Sequence, residues 1–313
     1  MASAILKKLP GRAMSILMSP VILAISAVLV MAGLGLLVRF ARKRRRQAQF
    51  IHDTLASTRR PDDRRVIVSM STVPDRISNL TPTIRSLLDQ TRPPDEIVIA
   101  LPEFSIREQR PYVVPDYIAR LPRVRILHCG KDWGPATKFI PVVQEELAAG
   151  RGRSLIMVVD DDRAYPRNAL ETYLHYSGQL PEAALCFRGA AMPTSLDWRR
   201  AKMIKGSKLC EPRRAAVITG CGSYFIQPTF FDESLWDYSK APRGAFYMDD
   251  IWISGCLSRR GVERYVVPAS SMMRTVLRQR GTMSLHDVPN GRQHNNNETI
   301  AFFRDTWNVF PLG

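Results

Sequence analysis

The stretch Ser154-Leu-Ile-Met-Val-Val-Asp-Asp-Asp162 decides the fold of this chain. Its five consecutive apolar residues, 155–159, are too few for a helix and rich in β-branched types, which is typical of a buried central strand. Three carboxylates follow where that strand should end, and adjacent negative charges repel one another, so burial does not explain them. A bound divalent cation would explain the three acids, because Mg²⁺ and Mn²⁺ take carboxylate oxygens as ligands. A solvated acidic turn is the alternative.

Patterns on both sides of this stretch predict an α/β fold with a mixed, mainly parallel sheet flanked by helices. Strands are predicted over residues 65–72, 96–100, 124–128, 155–159, 184–187, 215–219 and 264–267, and helices over 79–90, 134–149, 167–176 and 248–260. The polar residues 270–297 predict an irregular, mobile loop, and residues 64–313 are expected to form one domain. Ligands of open sheets bind beyond the carboxyl ends of the strands, where residues 160–162 are expected.

The composition is ordinary for a globular protein, with 45% hydrophobic and 24% charged residues, but the net charge of +16 is not. Residues 1–50 hold nine of the 45 basic residues and no acidic one, so the rest of the chain carries 36 basic against 29 acidic residues. The basic run lacks interleaved aromatic residues, so nucleic acid is not an expected partner. The five cysteines include no Cys-x-x-Cys pair, which indicates neither a zinc site nor a disulfide framework.

Residues 14–38 contain no charged side chain and predict a single transmembrane helix. At helical rise this segment spans roughly 37 Å, enough to cross a bilayer with some tilt. A cleaved signal peptide is the alternative, but its apolar region is shorter and a small-residue cleavage site follows it. Residues 1–13 then form an N-terminal tail and residues 39–63 a basic tether. The excess of basic residues after the span predicts a cytoplasmic large domain, which favours a bacterial inner membrane over the Golgi.

Several motifs, taken in order, resemble those of the GT-A nucleotide-sugar glycosyltransferases of the family 2 type. They are the strand, Pro-x-Arg turn and helix of residues 66–100, the Asp160-Asp161-Asp162 run, the glycine-containing turn 220–223, and the helix that opens with Asp249-Asp250 and ends at Gly261. The resemblance covers roughly residues 65–268 and implies a GT-A fold, a nucleotide-sugar donor and a Mn²⁺ or Mg²⁺ cofactor. It departs from the family pattern in having Asp249 where Glu is usual, and no acidic residue at Ala100-Leu101-Pro102, where the nucleotide base is often recognised.

The resemblance also implies a role for each acid after the central strand. Asp160 is the expected ribose-side carboxylate, Asp162 the expected metal ligand with Asp160 beside it, and Asp161 part of the nucleotide-sugar site. His286 is a candidate third metal ligand and His294 a weaker one, because many GT-A enzymes complete the metal shell with a histidine from this part of the chain.

Basic and polar residues elsewhere complete the expected donor site. Thr72, Pro74 and Arg76 follow the first strand and are candidate contacts for the base or ribose. Lys138 lies in the first turn of a predicted helix, a favourable site for a diphosphate, although a surface lysine lying over Trp133 fits the same pattern. The remaining candidates are Arg274, Arg278 and Arg280, which would clasp the diphosphate or form a solvated basic face.

Asp249 and Asp250 are the candidate catalytic acids, with Asp250 as the base that takes the proton of an acceptor hydroxyl. An acidic first turn that stabilises the helix dipole is the alternative. A base of this kind implies inversion at the anomeric carbon, and the anchor suggests a lipid-linked or envelope glycan as acceptor. Two other functions are compatible with parts of the pattern: a sugar-phosphate nucleotidyltransferase, and a non-catalytic anchored module that binds glycans.

Overall fold

The computed structural model describes residues 25–39, 41–42, 64–276 and 290–307, and the chain divides into two compact units, Met1–Arg46 and Gln47–Gly313. In the first unit, residues 25–39 and 41–42 are helical. The predicted transmembrane segment begins at residue 14, so its first part, residues 14–24, lies outside the described residues. Among the residues that are described, no helix is both long and apolar enough to cross a membrane.

The second unit is built on an eight-stranded sheet with the strand order β11-β14-β8-β13-β6-β1-β2-β5. The strands of the unit are β1 (Val66–Met70), β2 (Glu96–Pro102), β3 (Phe104–Ser105), β4 (Arg110–Pro111), β5 (Val124–Cys129), β6 (Leu155–Val158), β7 (Arg163–Ala164), β8 (Ala183–Cys186), β9 (Arg188–Ala191), β10 (Lys202–Lys205), β11 (Arg213–Arg214), β12 (Val217–Ile218), β13 (Tyr224–Ile226), β14 (Glu263–Val266) and β15 (Arg274–Thr275). The α-helices are α1 (Thr81–Leu88), α2 (Asp116–Ala119), α3 (Ile140–Ala148), α4 (Ala169–Gln179), α5 (Asp249–Arg259) and α6 (Arg292–Phe302).

Strand β6 lies at the centre of this sheet because both of its faces are apolar. Leu155, Met157 and Val159 belong to the core on one face, which α1 and α4 cover. Ile156 and Val158 point the other way, as the two-residue period of a strand requires, into the core that α3 and α5 cover. A strand buried on both faces is a nearly continuous apolar run, which is the pattern of the opening stretch.

The prediction of a mixed, mainly parallel sheet flanked by helices is confirmed. The pairs β1–β2, β1–β6, β2–β5 and β8–β14 are parallel. Strand β13 enters between β6 and β8 and runs antiparallel to both. The chain therefore reaches the sheet edge that carries the acids once more at the start of β13, which places the turn 220–223 beside the end of β6.

Three predicted elements differ from the structure. The helix predicted over 134–149 is a 3₁₀ segment, Gly134–Lys138, followed by α3, because the change of direction at Phe139 separates the two. The strand predicted over 215–219 shortens to β12, which belongs to a separate three-stranded sheet with β9 and β10. The irregular loop predicted over 270–297 is wrong for its last part, since α6 begins at Arg292. Residues 277–289 lie outside the described residues.

Candidate active site

The acids that follow β6 and the acids that open α5 line one cleft of ≈ 680 Å³. Eight of the predicted site residues contribute to its lining: Thr72, Arg76, Lys138, Asp160, Asp161, Asp162, Asp249 and Asp250. Pro74 does not line the cleft and sits in the turn closed by the bond from the Arg76 N–H to the Val73 carbonyl. His286 lies outside the described residues, so its part in the site stays a prediction. Asp162 and Asp250, far apart in sequence, therefore share a cavity.

Lys138 connects the two groups of acids. Its Nζ atom lies 2.8 Å from Oδ1 of Asp160 and 2.9 Å from Oδ2 of Asp249. Burial by itself would lower the pKa of Lys138, but the two carboxylates hold it well above its ordinary value. Burial would also raise the pKa of Asp160, and the Lys138 ammonium instead lowers it. Lys138 is thus a buried cation between two anions and not the surface lysine considered above.

Asp161 holds the acidic turn in place through contacts with three other residues. Its Oδ2 atom accepts a hydrogen bond from the Thr72 hydroxyl (2.6 Å) and lies 3.1 Å from Nε of Arg76. The Thr83 hydroxyl of α1 donates to the Asp161 carbonyl (2.7 Å). Burial, together with the neighbouring carboxylates, raises the pKa of Asp161 to about 6 in spite of the Arg76 guanidinium. Two of the predicted nucleotide contacts, Thr72 and Arg76, thereby fix the acidic turn.

Asp162, the expected metal ligand, lies in the acidic turn among the residues that line the cleft. Its backbone carbonyl accepts from the Val276 N–H (2.9 Å), which ties the turn to β15, and its Oδ1 atom lies 3.1 Å from Nε of Arg163. Burial and the Asp160 carboxylate raise the pKa of Asp162. No group of three or more His, Cys, Asp or Glu that could hold a metal ion occurs within the described ranges. Asp162 with Asp160 fits a diphosphate-bound Mg²⁺ or Mn²⁺, which takes one or two protein carboxylates and its other ligands from phosphate and water.

Gly220 lets three site residues meet. Its N–H donates to Oδ1 of Asp250 (2.7 Å). A Cβ atom at this position would lie 2.6 Å from Nζ of Lys138, 3.2 Å from Oδ1 of Asp250 and 3.3 Å from Oδ1 of Asp160, and a contact of 2.6 Å is too short for a carbon atom. A larger residue at this position would therefore have to shift the Lys138 ammonium away from the two carboxylates that hold it.

Asp250 has the properties of a general base. Burial and then the Asp249 carboxylate raise the pKa of Asp250 to about 7, against the opposing effects of Lys138 and the Gly220 N–H. A carboxyl with a pKa near neutrality is a stronger base than a free aspartate and is still partly ionised at pH 7. The position of Asp250 at the start of α5 agrees with both interpretations from the sequence, a catalytic base and an acid that stabilises the helix dipole, because the first turn of a helix also stabilises negative charge.

Several residues that sequence reasoning missed also line the cleft. They are Ser71, Arg107, Tyr112, Arg188, Met203, Cys221, Arg292, Gln293 and Asn296. Trp198 also lines the cleft, whereas Trp252 is buried in the core and donates from Nε1 to the Leu235 carbonyl. His294 is exposed on α6 and does not line the cleft. For Arg292, Gln293 and Asn296, the polar composition of residues 290–297 was the one available signal in the sequence.

Arg274 lies near the acidic turn but at the surface. It pairs through β15 with Ala164 of β7, two residues after Asp162, and its side chain is exposed. Arg278 and Arg280 lie outside the described residues. The predicted clasp on a diphosphate therefore stays a prediction for all three arginines.

The family described as glycosyl transferase family 2 matches residues 71–234, more than half of the chain. The chain belongs to this family and is a glycosyltransferase, as the resemblance indicated. Among solved structures, it is similar to the mannosyltransferase PcManGT from Pyrobaculum calidifontis in complex with GDP-Man and Mn²⁺, with 14% identity and a TM-score of 0.40 over 83% of this chain and 70% of that chain. It is also similar to GalNAc-T7 with UDP, GalNAc and Mn²⁺, with 14% identity and a TM-score of 0.45 over 69% of this chain and 44% of that chain. No curated protein matches the sequence.

Proposed function

We propose that this cleft transfers a sugar from a nucleotide-diphosphate-sugar donor to an acceptor hydroxyl, with Mn²⁺ or Mg²⁺ as cofactor. One observation carries the proposal: the acids at the end of β6 and the acids that open α5 line the same cavity and are joined by Lys138. The first group suits a metal-bound diphosphate and the second suits proton removal. A transferase of this type needs both functions within reach of one anomeric carbon.

The donor would be held by the residues around the end of β6. Asp162, with Asp160 beside it, would bind the cation, and His286 remains a proposed third ligand. When bound, the cation supplies Lewis-acid stabilisation of the leaving nucleoside diphosphate. Thr72, Pro74 and Arg76 remain proposed contacts for the base or ribose, although Thr72 and Arg76 act at least in part through Asp161.

Asp250 would accept the proton of the attacking hydroxyl. Its bond from the Gly220 N–H fixes one carboxylate oxygen and leaves the other for the acceptor. Asp249 contributes by raising the pKa of Asp250 and by holding the Lys138 ammonium. Because a base at this position favours direct displacement, we propose inversion at the anomeric carbon.

The setting of the enzyme is also part of the proposal. The uncharged residues 14–38 and the basic run that follows them support a single-pass anchor with the catalytic unit on the cytoplasmic side, in a bacterial inner membrane. An anchored enzyme meets acceptors at the headgroup region, so a lipid-linked or envelope glycan, including a glycolipid, is the proposed acceptor class.

Donor binding by the full-length chain tests the proposal. A panel of nucleotide sugars is screened for an increase in melting temperature with and without Mn²⁺, and the products of turnover are analysed. We expect one donor to stabilise the protein only when Mn²⁺ is present, and Asp162→Ala to abolish this effect. Asp116→Ala removes an exposed carboxylate of α2 and serves as the control.

Product analysis separates the alternatives. Release of a nucleoside diphosphate supports glycosyl transfer, whereas formation of a nucleotide sugar with release of pyrophosphate indicates a nucleotidyltransferase. If no nucleotide sugar raises the melting temperature and Asp162→Ala behaves like the unaltered chain, the non-catalytic module replaces the enzyme.

A further inference from the structure

The amino-terminal turn of α6 forms a wall of the cleft that the proposed chemistry does not use. Arg292, Gln293 and Asn296 of this turn line the cavity, and positions three or four apart on a helix share a face. The helix has eleven residues and lies beyond the part of the chain that matches the family, residues 71–234.

Two amide nitrogens on this wall have no hydrogen-bond partner within the described part of the chain. Asn296 is only 3% exposed, and its Nδ2 atom is buried without a partner among the residues that the structure describes. Nε2 of Gln293 is in the same state. An unsatisfied buried donor costs about 1–3 kcal/mol, so donors that line a cavity are more stable with a ligand that accepts their hydrogen bonds.

The charge on this wall is positive. The helix dipole places partial positive charge at the start of α6, where Gly291 provides no side-chain cap. Arg292 adds a full charge at the first helical position. Unpaired N–H donors, a helix amino terminus and a guanidinium together favour a carboxylate or phosphate over a neutral hydroxyl.

The wall is fixed relative to the proposed base. Asn295 packs against Gly244, because a Cβ atom on Gly244 would lie 2.6 Å from Oδ1 of Asn295. The 3₁₀ segment that contains Gly244 is followed closely by Asp249 and Asp250. On the other side, Oδ1 of Asn297 accepts from the Trp198 N–H (2.9 Å), and Trp198 also lines the cleft. These contacts hold the first turn of α6 against the segment that precedes Asp250.

We propose that the first turn of α6 binds an anionic group of the acceptor, a carboxylate or a phosphate, and selects acidic acceptors over neutral ones. This inference rests on the proposed function, since it assigns the acceptor side of the same cleft. The diphosphate of the nucleotide sugar could bind to the same N–H groups. The experiment therefore has to distinguish an anionic acceptor from this diphosphate.

Titration of the full-length chain in lipid nanodiscs with simple sugars tests the inference. The probes are glucuronate, glucose 6-phosphate and neutral glucose, each added with and without a saturating nucleoside diphosphate and Mn²⁺, and binding is followed by saturation-transfer NMR. We expect one of the anionic sugars to bind about tenfold or more tightly than glucose, as charged hydrogen bonds predict, and to bind in the presence of the nucleotide. The comparison of the two anionic sugars decides between carboxylate and phosphate.

Three variants locate the effect. Asn296→Asp keeps the side-chain shape and replaces the N–H donor with a second oxygen, and Arg292→Gln removes the exposed charge. Both should lose most of the preference for the anionic sugar. Arg292→Gln, at an exposed position, should do so with little shift in melting temperature, whereas Asn296→Asp places a carboxylate at a buried position and is expected to lower it. Arg153→Gln removes a charge from an exposed position outside the cleft and should keep the preference.

The inference is overturned by equal binding of charged and neutral sugars, by a preference that survives in both α6 variants, or by displacement of the anionic sugar when nucleotide is added. The last result assigns the turn to the diphosphate. If nucleotides bind but charged sugars are not preferred, only this inference fails. If no nucleotide binds, the proposed function fails, and the titration without nucleotide still reports on the turn.

Discussion

Lys138 and Asp249 form a buried ion pair, with 2.9 Å between Nζ and Oδ2. The same ammonium lies 2.8 Å from Oδ1 of Asp160, so one cation balances an acid from each side of the cleft. Lys138 comes from the 3₁₀ segment before α3, and its carbonyl accepts a hydrogen bond from the Ser69 hydroxyl (2.6 Å). Strand β1 therefore fixes the backbone of the residue that joins the two acidic groups.

Removal of this cation is expected to destabilise the fold as well as the site. Lys138→Met keeps the aliphatic volume but leaves the buried Asp249 and the partly exposed Asp160 without their partner, and breaking a buried ion pair costs about 3–5 kcal/mol. The midpoint of urea unfolding at pH 7 measures the change. Lys131→Met removes an exposed ammonium nearby and should alter stability by less than about 0.5 kcal/mol. An unchanged midpoint for Lys138→Met would show that the pair carries no stabilisation.

Gly220→Ala is expected to reduce sugar transfer by tenfold or more. The added Cβ has to displace the Lys138 ammonium, which two carboxylates hold, or shift the oxygen of Asp250 that the Gly220 N–H now fixes. Initial rates at saturating donor measure the effect. Gly178→Ala in α4 meets no atom within 4 Å and should be neutral or slightly stabilising. Equal rates for the two variants would remove Gly220 from the site.

The pH dependence of transfer is expected to follow Asp250. The base acts when ionised, and its pKa is raised to about 7, so kcat/KM should increase as pH rises through about 7 and then level off. Asp250→Asn should retain Mn²⁺-dependent donor binding and lose transfer. A rate that is flat between pH 5 and 8 would contradict the assignment of Asp250 as the base.

The same raised pKa predicts the sign of a stability change. A carboxyl that binds its proton more tightly when folded makes the protein less stable as pH rises between the unfolded and folded pKa values. Asp250→Asn removes this loss. The variant should therefore gain stability relative to the unaltered chain at pH 8, and the gain should shrink towards pH 4. Urea unfolding at the two pH values measures the difference.

Glu146 of α3, which does not line the cleft, is expected to give stability the opposite dependence on pH. Burial would raise the pKa of Glu146, but hydrogen bonds from Arg151 and Ser154 lower it below its ordinary value. Its contribution to stability is therefore complete above the unfolded pKa and declines as pH falls through the lower folded pKa. Glu146→Gln should cost about 1–3 kcal/mol at pH 7 and less below pH 4. Glu182→Gln, at an exposed position, should change neither value, and an equal cost at both pH values would contradict the mechanism.

Much of the fold and of the donor side of the site could be predicted from the sequence. The apolar residues of β6 and the acids after it are local signals, because strand period and the placement of ligands at carboxyl ends act within a few residues. The role of Lys138 was not predictable, since its partner Asp249 is 111 residues away and only the tertiary fold decides whether the lysine is exposed.

Helix α6 was missed for a different reason. Three of its four buried residues, Asn295, Asn296 and Thr299, are polar and only Ile300 is apolar, so the inward side has no apolar period to detect. An amphipathic sequence pattern indicates a helix that packs on an apolar core. A helix that packs beside a polar cavity does not show this pattern. The irregular loop predicted there was the expected error for such a sequence.

The close contact between Gly244 and α6 has a consequence for how specificity can change. The segment that matches the family ends at residue 234, before both Gly244 and α6. The residues proposed to bind the sugar donor and the α6 wall of the cleft therefore occupy consecutive parts of the chain. A chimera joined near residue 240 would exchange the second part while the first is kept. Any replacement helix would have to preserve the small residue at its crossing point, since a larger one would push the new wall away from the reaction centre.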